Sequence, residues 1–289
     1  MNLFTLGVDI GGTHITAAVV NLATRSILSE TITRQPVDAS GTIADIIASW
    51  SSTMRDAKGK QKAEINKVGI AMPGPFDYEN GIALMQNQDK YDALYGINVK
   101  VLLAQALQLD TRTIKFQNDA PCFLQGEAFA GAAKGYNRAI GLTLGTGLGS
   151  AVIVNGKAWD ANLWDIPFRE SIAEEYLSSR WFVKRFYELS GRYTENVKRI
   201  VEQQSTEPKV QQLFAEFATN LAAFLGSFVK QEQPEVIILG GNIGKSFHLF
   251  GDDLQEKLQA QGITIPVKAA LLGEEAALLG AASLWQEVA

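Results

Sequence analysis

GVDIGGTHITAAVVN, residues Gly7 to Asn21, reads as an apolar strand, a glycine-rich turn and a second apolar strand. The same plan returns in GLTLGTGLGSAVIVN, Gly141 to Asn155, when the two are laid together without a gap at an offset of 134 residues. Gly7 then falls on Gly141, Gly11 on Gly145, Ala17 on Ala151, Val20 on Val154 and Asn21 on Asn155. A glycine-rich hairpin that opens each half of a chain is what a duplicated, two-lobed fold would show, and two unrelated hairpins would share some of the same identities.

Outward from these hairpins, β-branched and apolar runs predict strands at Leu3 to Asp9, Ile15 to Val20, Ile27 to Thr33, Val68 to Met72, Thr113 to Phe116, Ala139 to Leu144, Ala151 to Val154 and Val236 to Leu239. Amphipathic spacing predicts helices at Thr42 to Asp56, Val99 to Leu107, Pro121 to Ala132, Ile172 to Leu189, Val210 to Lys230, Leu249 to Gln261 and Glu274 to Glu287. The 289 residues, 46% of them hydrophobic, suffice for one large α/β unit or for two lobes with a cleft. A net charge of -5 supplies no basic field for nucleic acid or an anionic membrane surface. The single cysteine, Cys122, excludes an internal disulfide and a thiolate-rich zinc site. The chain reads as cytoplasmic, with no export signal and no run of about 18 apolar residues for a membrane span.

In Asp9-Ile10-Gly11-Gly12-Thr13 a carboxylate ends a buried strand and two glycines let the backbone N–H groups approach a ligand closely. Asp9 suits Mg²⁺, which needs one or two protein oxygens beside phosphate oxygens, and the Thr13 hydroxyl can donate to a phosphate. An ordinary tight hairpin with a surface acid would use the same residues. The second turn, with Gly145, Thr146, Gly147 and Gly149, lacks the Gly-x-Gly-x-x-Gly order and leads into a strand, so it is not a dinucleotide fingerprint. A third break, Gly240-Gly241-Asn242 after the strand Val236 to Leu239, lets a flat ring lie on the backbone. Asp119, between a strand end and a helix opened by Pro121, is either that helix's N-cap or a general base for a hydroxyl.

Together these segments resemble the ROK family of sugar kinases and regulators, within the hexokinase and actin-like ATPase superfamily, across essentially the whole chain. The resemblance is carried by the order DIGGT, AMPGPFD (Ala71 to Asp77), QNDA (Gln117 to Ala120), LGTGLGSAVIVNGK (Leu144 to Lys157), VIILGGNI (Val236 to Ile243) and LGEEAALLGAASL (Leu272 to Leu284). It implies an α/β fold of two ribonuclease-H-like lobes around a central cleft, residues 1–118 with 274–289 and residues 119–273. It implies ATP and Mg²⁺ as cofactors and in-line transfer of the γ-phosphoryl group to a sugar hydroxyl. Asp9, Gly11, Gly12 and Thr13 would serve metal and phosphates, Gly145, Thr146 and Gly147 the second turn, and Gly240, Gly241 and Asn242 the adenosine. Asp119 would be the base, with Gly74, Asn87 and Asn118 along the sugar pocket.

Where many relatives carry Glu-x-Gly-His and then a zinc-binding cysteine cluster, this chain reads AWDANLWDIPFRESIAEEYLSSR, Ala158 to Arg180. Asn162 and Asp165 stand where Glu and His would be, Glu174 remains as a sugar ligand, and structural zinc is not expected. Glucose is therefore expected to be a poor substrate. The family's repressors carry a DNA-binding module ahead of the first turn, which here begins at residue 9, so the enzyme branch is favoured over a regulator. A catalytically weak sugar or nucleotide sensor is the competing reading. The expected partner is a sugar, without nucleic acid or membrane, and a homodimer is left open.

Overall fold

The computed structural model describes residues 3–87, 90–204 and 207–286, in two compact units: residues 1–134 with 274–289, and residues 135–273. The first unit is built on a sheet of β1 (Phe4–Ile10), β2 (His14–Asn21), β3 (Ser26–Ile27), β4 (Thr33–Pro36), β5 (Val68–Ala71) and, beyond the small hairpin of β6 (Phe76–Asp77) and β7 (Ile82–Ala83), β8 (Ile114–Gln117). Its strand order is β3-β2-β1-β5-β8, with β4 also on β2, and β1 runs antiparallel to β2 but parallel to β5. Thr5 and Gly7 of β1 are buried as well as Leu6 and Val8, as a central strand covered on both faces requires. Helix α1 (Ile43–Gly59) starts where the Thr42 hydroxyl accepts the Asp45 N–H and donates to its carboxylate, and it buries Ile46, Trp50 and Met54. Helices α2 (Val99–Leu107) and α3 (Asp119–Ala130) follow, each capped by an asparagine, Asn98 and Asn118.

The first unit extends through α3, past the division after residue 118 drawn from the sequence, because α3 packs along the C-terminal helix (Glu275–Ser283). That packing is almost backbone on backbone. A Cβ on Gly280 would collide with the Cys122 carbonyl, one on Gly126 with the Ala276 carbonyl, and one on Gly69 of β5 with the Ala281 carbonyl. Cys122, with Ala71 and Ala281, is buried in this seam.

The second unit repeats the plan with β9 (Arg138–Leu144), β10 (Leu148–Val154), β11 (Lys157–Asp160), a separate pair β12 (Pro167–Phe168) and β13 (Ser171–Ile172), β14 (Val236–Gly240) and β15 (Val267–Ala269), in sheet order β11-β10-β9-β14-β15. Each unit thus holds an antiparallel hairpin followed by parallel strands, the ribonuclease-H-like plan. Its helices are α4 (Glu174–Leu177), α5 (Ser179–Ser190), α6 (Val197–Gln204), α7 (Pro208–Glu232), α8 (Gly241–Gly244) and α9 (Gly251–Ala260). Helix α7 is long and apolar enough for a membrane span, yet Val210, Leu213, Phe214, Phe217 and Leu221 are core residues, packed with Phe182, Phe186 and Phe250.

Three expectations shift. The predicted strand Ile27 to Thr33 divides at a 3-10 turn, Ser29–Thr31, because the buried Thr31 hydroxyl accepts the Val19 N–H and donates to the Leu28 carbonyl. The predicted helix Ile172 to Leu189 is broken at Ser178, which is extended. The 134-residue repeat is offset in its second strand: Gly7 pairs with Ala18 but Gly141 with Ala151, so the second turn is one residue shorter. The identities Ala17/Ala151, Val20/Val154 and Asn21/Asn155 therefore occupy ladder positions one step apart. Strands β11 and β15, four and three residues long, were too short to signal themselves by alternation.

The seam generates the first prediction. Gly280→Ala should lower unfolding stability by about 1 to 3 kcal/mol, because the carbonyl it meets belongs to backbone and cannot rotate away. Gly59→Ala, at the end of α1 with nothing within 4 Å of the added carbon, should be neutral or slightly stabilising. Denaturant titration of both variants checks this; equal stability would show that the seam yields without cost.

Candidate functional site

The first unit gathers its site at the ends of β1 and β8. The turn after Asp9 closes when Gly11 N–H donates to the His14 carbonyl at 2.9 Å, and the Tyr91 hydroxyl donates to the Gly11 carbonyl at 2.5 Å. Tyr91 is fully buried, edge-on to Trp50 at 5.1 Å, and burial pushes its hydroxyl up to about 12. It therefore serves as a fixed donor that holds the turn. Gly12 and Thr13 are exposed, and the Thr13 hydroxyl lies 2.9 Å from the His14 ring nitrogen.

Asn118, not Asp119, caps α3: its Oδ1 accepts the Ala120 N–H at 3.0 Å. Its Nδ2 donates to the Tyr78 hydroxyl, which donates to the Met72 carbonyl. A Cβ on Gly74 would stand 3.0 Å from that same hydroxyl, so Gly74, Tyr78 and Asn118 form one polar cluster. With the cap supplied next door, Asp119 is the first helical residue and keeps a solvent-exposed carboxylate, one oxygen of which accepts the Ala120 N–H at 2.9 Å. Asn87 is exposed and left-handed, a conformation Asn tolerates.

The two acids interact. Asp9 is raised from 3.8 to about 7, first by burial and then by the negative charge of Asp119, with Arg34 pulling the other way and Glu274 adding to the rise. Arg34 reaches this neighbourhood because Asp9 pairs with Thr16 and Thr16 with Arg34 across three strands, and its guanidinium pairs with Glu274 at 2.8 Å. The enclosing protein also raises Asp119, opposed by the Ala120 N–H and by Lys90, while its solvent-open face limits the rise.

In the second unit the shortened turn is braced from behind. Gly145 carbonyl accepts both the N–H and the hydroxyl of Ser179, at 2.7 and 2.8 Å, which is why the chain breaks its helix at Ser178. Glu174 accepts the Leu148 N–H at 2.9 Å with one oxygen and pairs with Arg180 at 2.5 Å with the other, and Arg180 donates to the Thr146 carbonyl. Glu174 Oε2 fills the space a Cβ on Gly147 would need. Gly241, at φ 80°, lies against Leu144, so the Gly240-Gly241 break abuts the same turn, with Thr146 and Asn242 exposed. Asn162, left-handed and exposed, accepts the Trp164 indole N–H, and Asp165 is exposed in the same loop.

Sequence reasoning missed Tyr78, Lys90, Tyr91, Arg34 and Arg180. The two tyrosines and Lys90 lie in irregular stretches where no period places them, and Arg34 finds Glu274 only through the fold. Two carboxyl groups that disfavour each other's ionisation, beside exposed turn glycines, fit a magnesium-bound nucleotide, whose metal needs only one or two protein oxygens. Among the described residues no group of three or more His, Cys, Asp or Glu could hold a metal by itself.

The sequence model of the ROK family matches residues 5–162 and 170–288. The chain belongs to the ROK family. It is 27% identical over 316 residues to the N-acetyl-D-glucosamine kinase of Haemophilus influenzae (strain 86-028NP), covering 96% of this chain and 98% of that protein. The N-acetylgalactosamine kinase AgaK of Shewanella sp. (strain ANA-3) is 24% identical over 306 residues, with 96% and 95% covered. The crystal structure of a ROK family glucokinase from Streptomyces griseus in complex with glucose and AMPPNP superposes with a TM-score of 0.75 at 23% identity, covering 97% of this chain and 98% of that one. This ROK chain therefore has the actin-like ATPase fold. The family match skips residues 163–169, the stretch that holds Trp164 and Asp165.

A carboxyl with a folded value near 7 against an ordinary 3.8 binds its proton more tightly in the folded chain, so stability falls as pH rises between those values. Asp9→Asn removes that titration. In the absence of nucleotide, the variant's thermal midpoint should decline less than the wild type's from about pH 4 to 8, and should exceed it at the upper end. Parallel declines would show that Asp9 ionises normally.

Proposed function

We propose that this ROK chain is an ATP-dependent sugar kinase that phosphorylates a hydroxyl of a hexose-class sugar, with an N-acylated hexosamine preferred over glucose. The observation that carries this reading is Asp119: freed from capping by Asn118, open to solvent, raised in basicity, and in electrostatic contact with the turn acid Asp9. Magnesium-bound ATP supplies the phosphoryl group. Asp119 takes the proton of the sugar hydroxyl as its oxygen bonds to phosphorus and the bond to the ADP oxygen breaks. Asp9 holds the metal, with Gly11, Gly12 and Thr13 on the phosphates.

Gly145, Thr146 and Gly147 form the second phosphate turn, and Gly240, Gly241 and Asn242 take the adenosine. Gly74, Asn118 and Asn87 orient the sugar, with Tyr78 fixing the amide of Asn118. Glu174 acts chiefly by holding the second turn, its two oxygens being engaged by Leu148 and Arg180. The preference for an N-acylated sugar is supported by the names of the curated relatives and by Asn162 and Asp165, which change hydrogen-bond demand at the acceptor site.

A coupled assay of ADP release over glucose, N-acetylglucosamine, N-acetylgalactosamine and N-acetylmannosamine tests both levels. An N-acetylhexosamine should exceed glucose in kcat/KM by about tenfold or more. Glucose as the best substrate, at about 10⁴ M⁻¹s⁻¹ or above, would defeat the sugar class, and sugar-induced thermal stabilisation without ADP would instead support a sensor. Asp119→Asn should cut turnover by about 10²- to 10⁴-fold with sugar affinity and folding near wild type. Turnover within about threefold of wild type would remove Asp119 from the chemistry.

A further inference from the structure

Lys90 is half-buried and directly precedes Tyr91, whose left-handed backbone, buried ring and hydrogen bond to Gly11 fix the segment on the first turn. A Cβ built on Gly12 would stand 3.8 Å from Lys90 Cδ, so the aliphatic stem lies along the glycine of that turn. Its ammonium group is close enough to Asp119 to favour the ionised carboxylate. The cation therefore stands between the turn that would hold phosphates and the acid that would accept the hydroxyl proton. Arg34, the cation that acts on Asp9, is already paired with Glu274. Among the described residues Lys90 makes no ion pair.

We propose that Lys90 is the ligand of the terminal phosphoryl group, a point charge on the oxygens over which the negative charge is spread as the phosphoryl group is transferred. The inference rests on the kinase reading above. A compact ammonium on a flexible stem suits this task, since it can follow a group that moves between two oxygens. Its stem over Gly12 and its charge beside Asp119 suit it to the phosphate that must approach the acid, which is the terminal one.

Isothermal titration with the non-hydrolysable triphosphate analogue AMPPNP and with ADP, both with magnesium, tests the assignment without turnover. Lys90→Met should weaken AMPPNP by about 10- to 100-fold while ADP affinity changes less than about threefold, and Lys90→Arg should recover most of the loss. Equal weakening of both nucleotides, or of neither, would overturn it. So would unchanged nucleotide affinity with an altered order of sugars, since that would place the ammonium on the acceptor. Should the Met variant not fold, Lys90→Gln carries the same comparison. A wild-type chain that discriminates AMPPNP from ADP through Lys90 yet releases no ADP with any sugar would keep this inference and sink the kinase reading; turnover with an indifferent Lys90→Met would do the reverse.

Discussion

The close approach of the C-terminal helix to α3 and to β5 is the constraint on which the first unit depends. Gly280, Gly126 and Gly69 each leave room for a carbonyl of the facing element, so helix and sheet meet at backbone distance. At that distance neither element can slide or rotate without a collision, which is how close packing without voids transmits position. The strand carrying Asp9 and the helix carrying Asp119 are both seated on this one helix. A residue near the end of the chain thereby sets the spacing of two acids that are 110 positions apart in sequence.

That spacing stores electrostatic tension. Asp9 and Asp119 oppose each other's ionisation, and the nearest guanidinium is shared with Glu274. A fully compensated ion cluster would be more comfortable for the folded chain but would offer nothing to an incoming cation or anion. The surrounding turn is pinned by Tyr91 and the surrounding helix is capped by Asn118, so the tension is held in place rather than relaxed.

Much of this was legible in the sequence because it depends on short-range patterns. Apolar runs placed both hairpins, glycines placed the turns, and Asn118-Asp119-Ala120-Pro121 announced a helix start. What remained hidden depends on side chains that act against the local pattern. Thr31 interrupts a run of strand-forming residues by taking a backbone N–H for itself, and Ser179 bends a good helix sequence because the Gly145 carbonyl needs a donor. The choice of Asn118 over Asp119 as cap turned on which of two capping residues stood one place earlier, and the single-residue shortening of the second turn is invisible to an ungapped comparison. The ion pair of Arg34 and Glu274 needs two strand registers to be known first.

The loop after β11 is tied down at both ends and again along its length. Ala161 and Leu163 donate to Ser150 at one end, and Glu174 N–H donates to the Trp164 carbonyl at the other. Between them β12 pairs with β13, Ile166 and Phe168 pack against the core, and the Phe168 ring meets Tyr176 and Phe224, so the stretch is seated on the unit's core. Loop and turn thus share a footing: Glu174 gives its N–H to the Trp164 carbonyl and takes the Leu148 N–H on its carboxylate, so a change of chain length in the loop is felt at the turn through one residue.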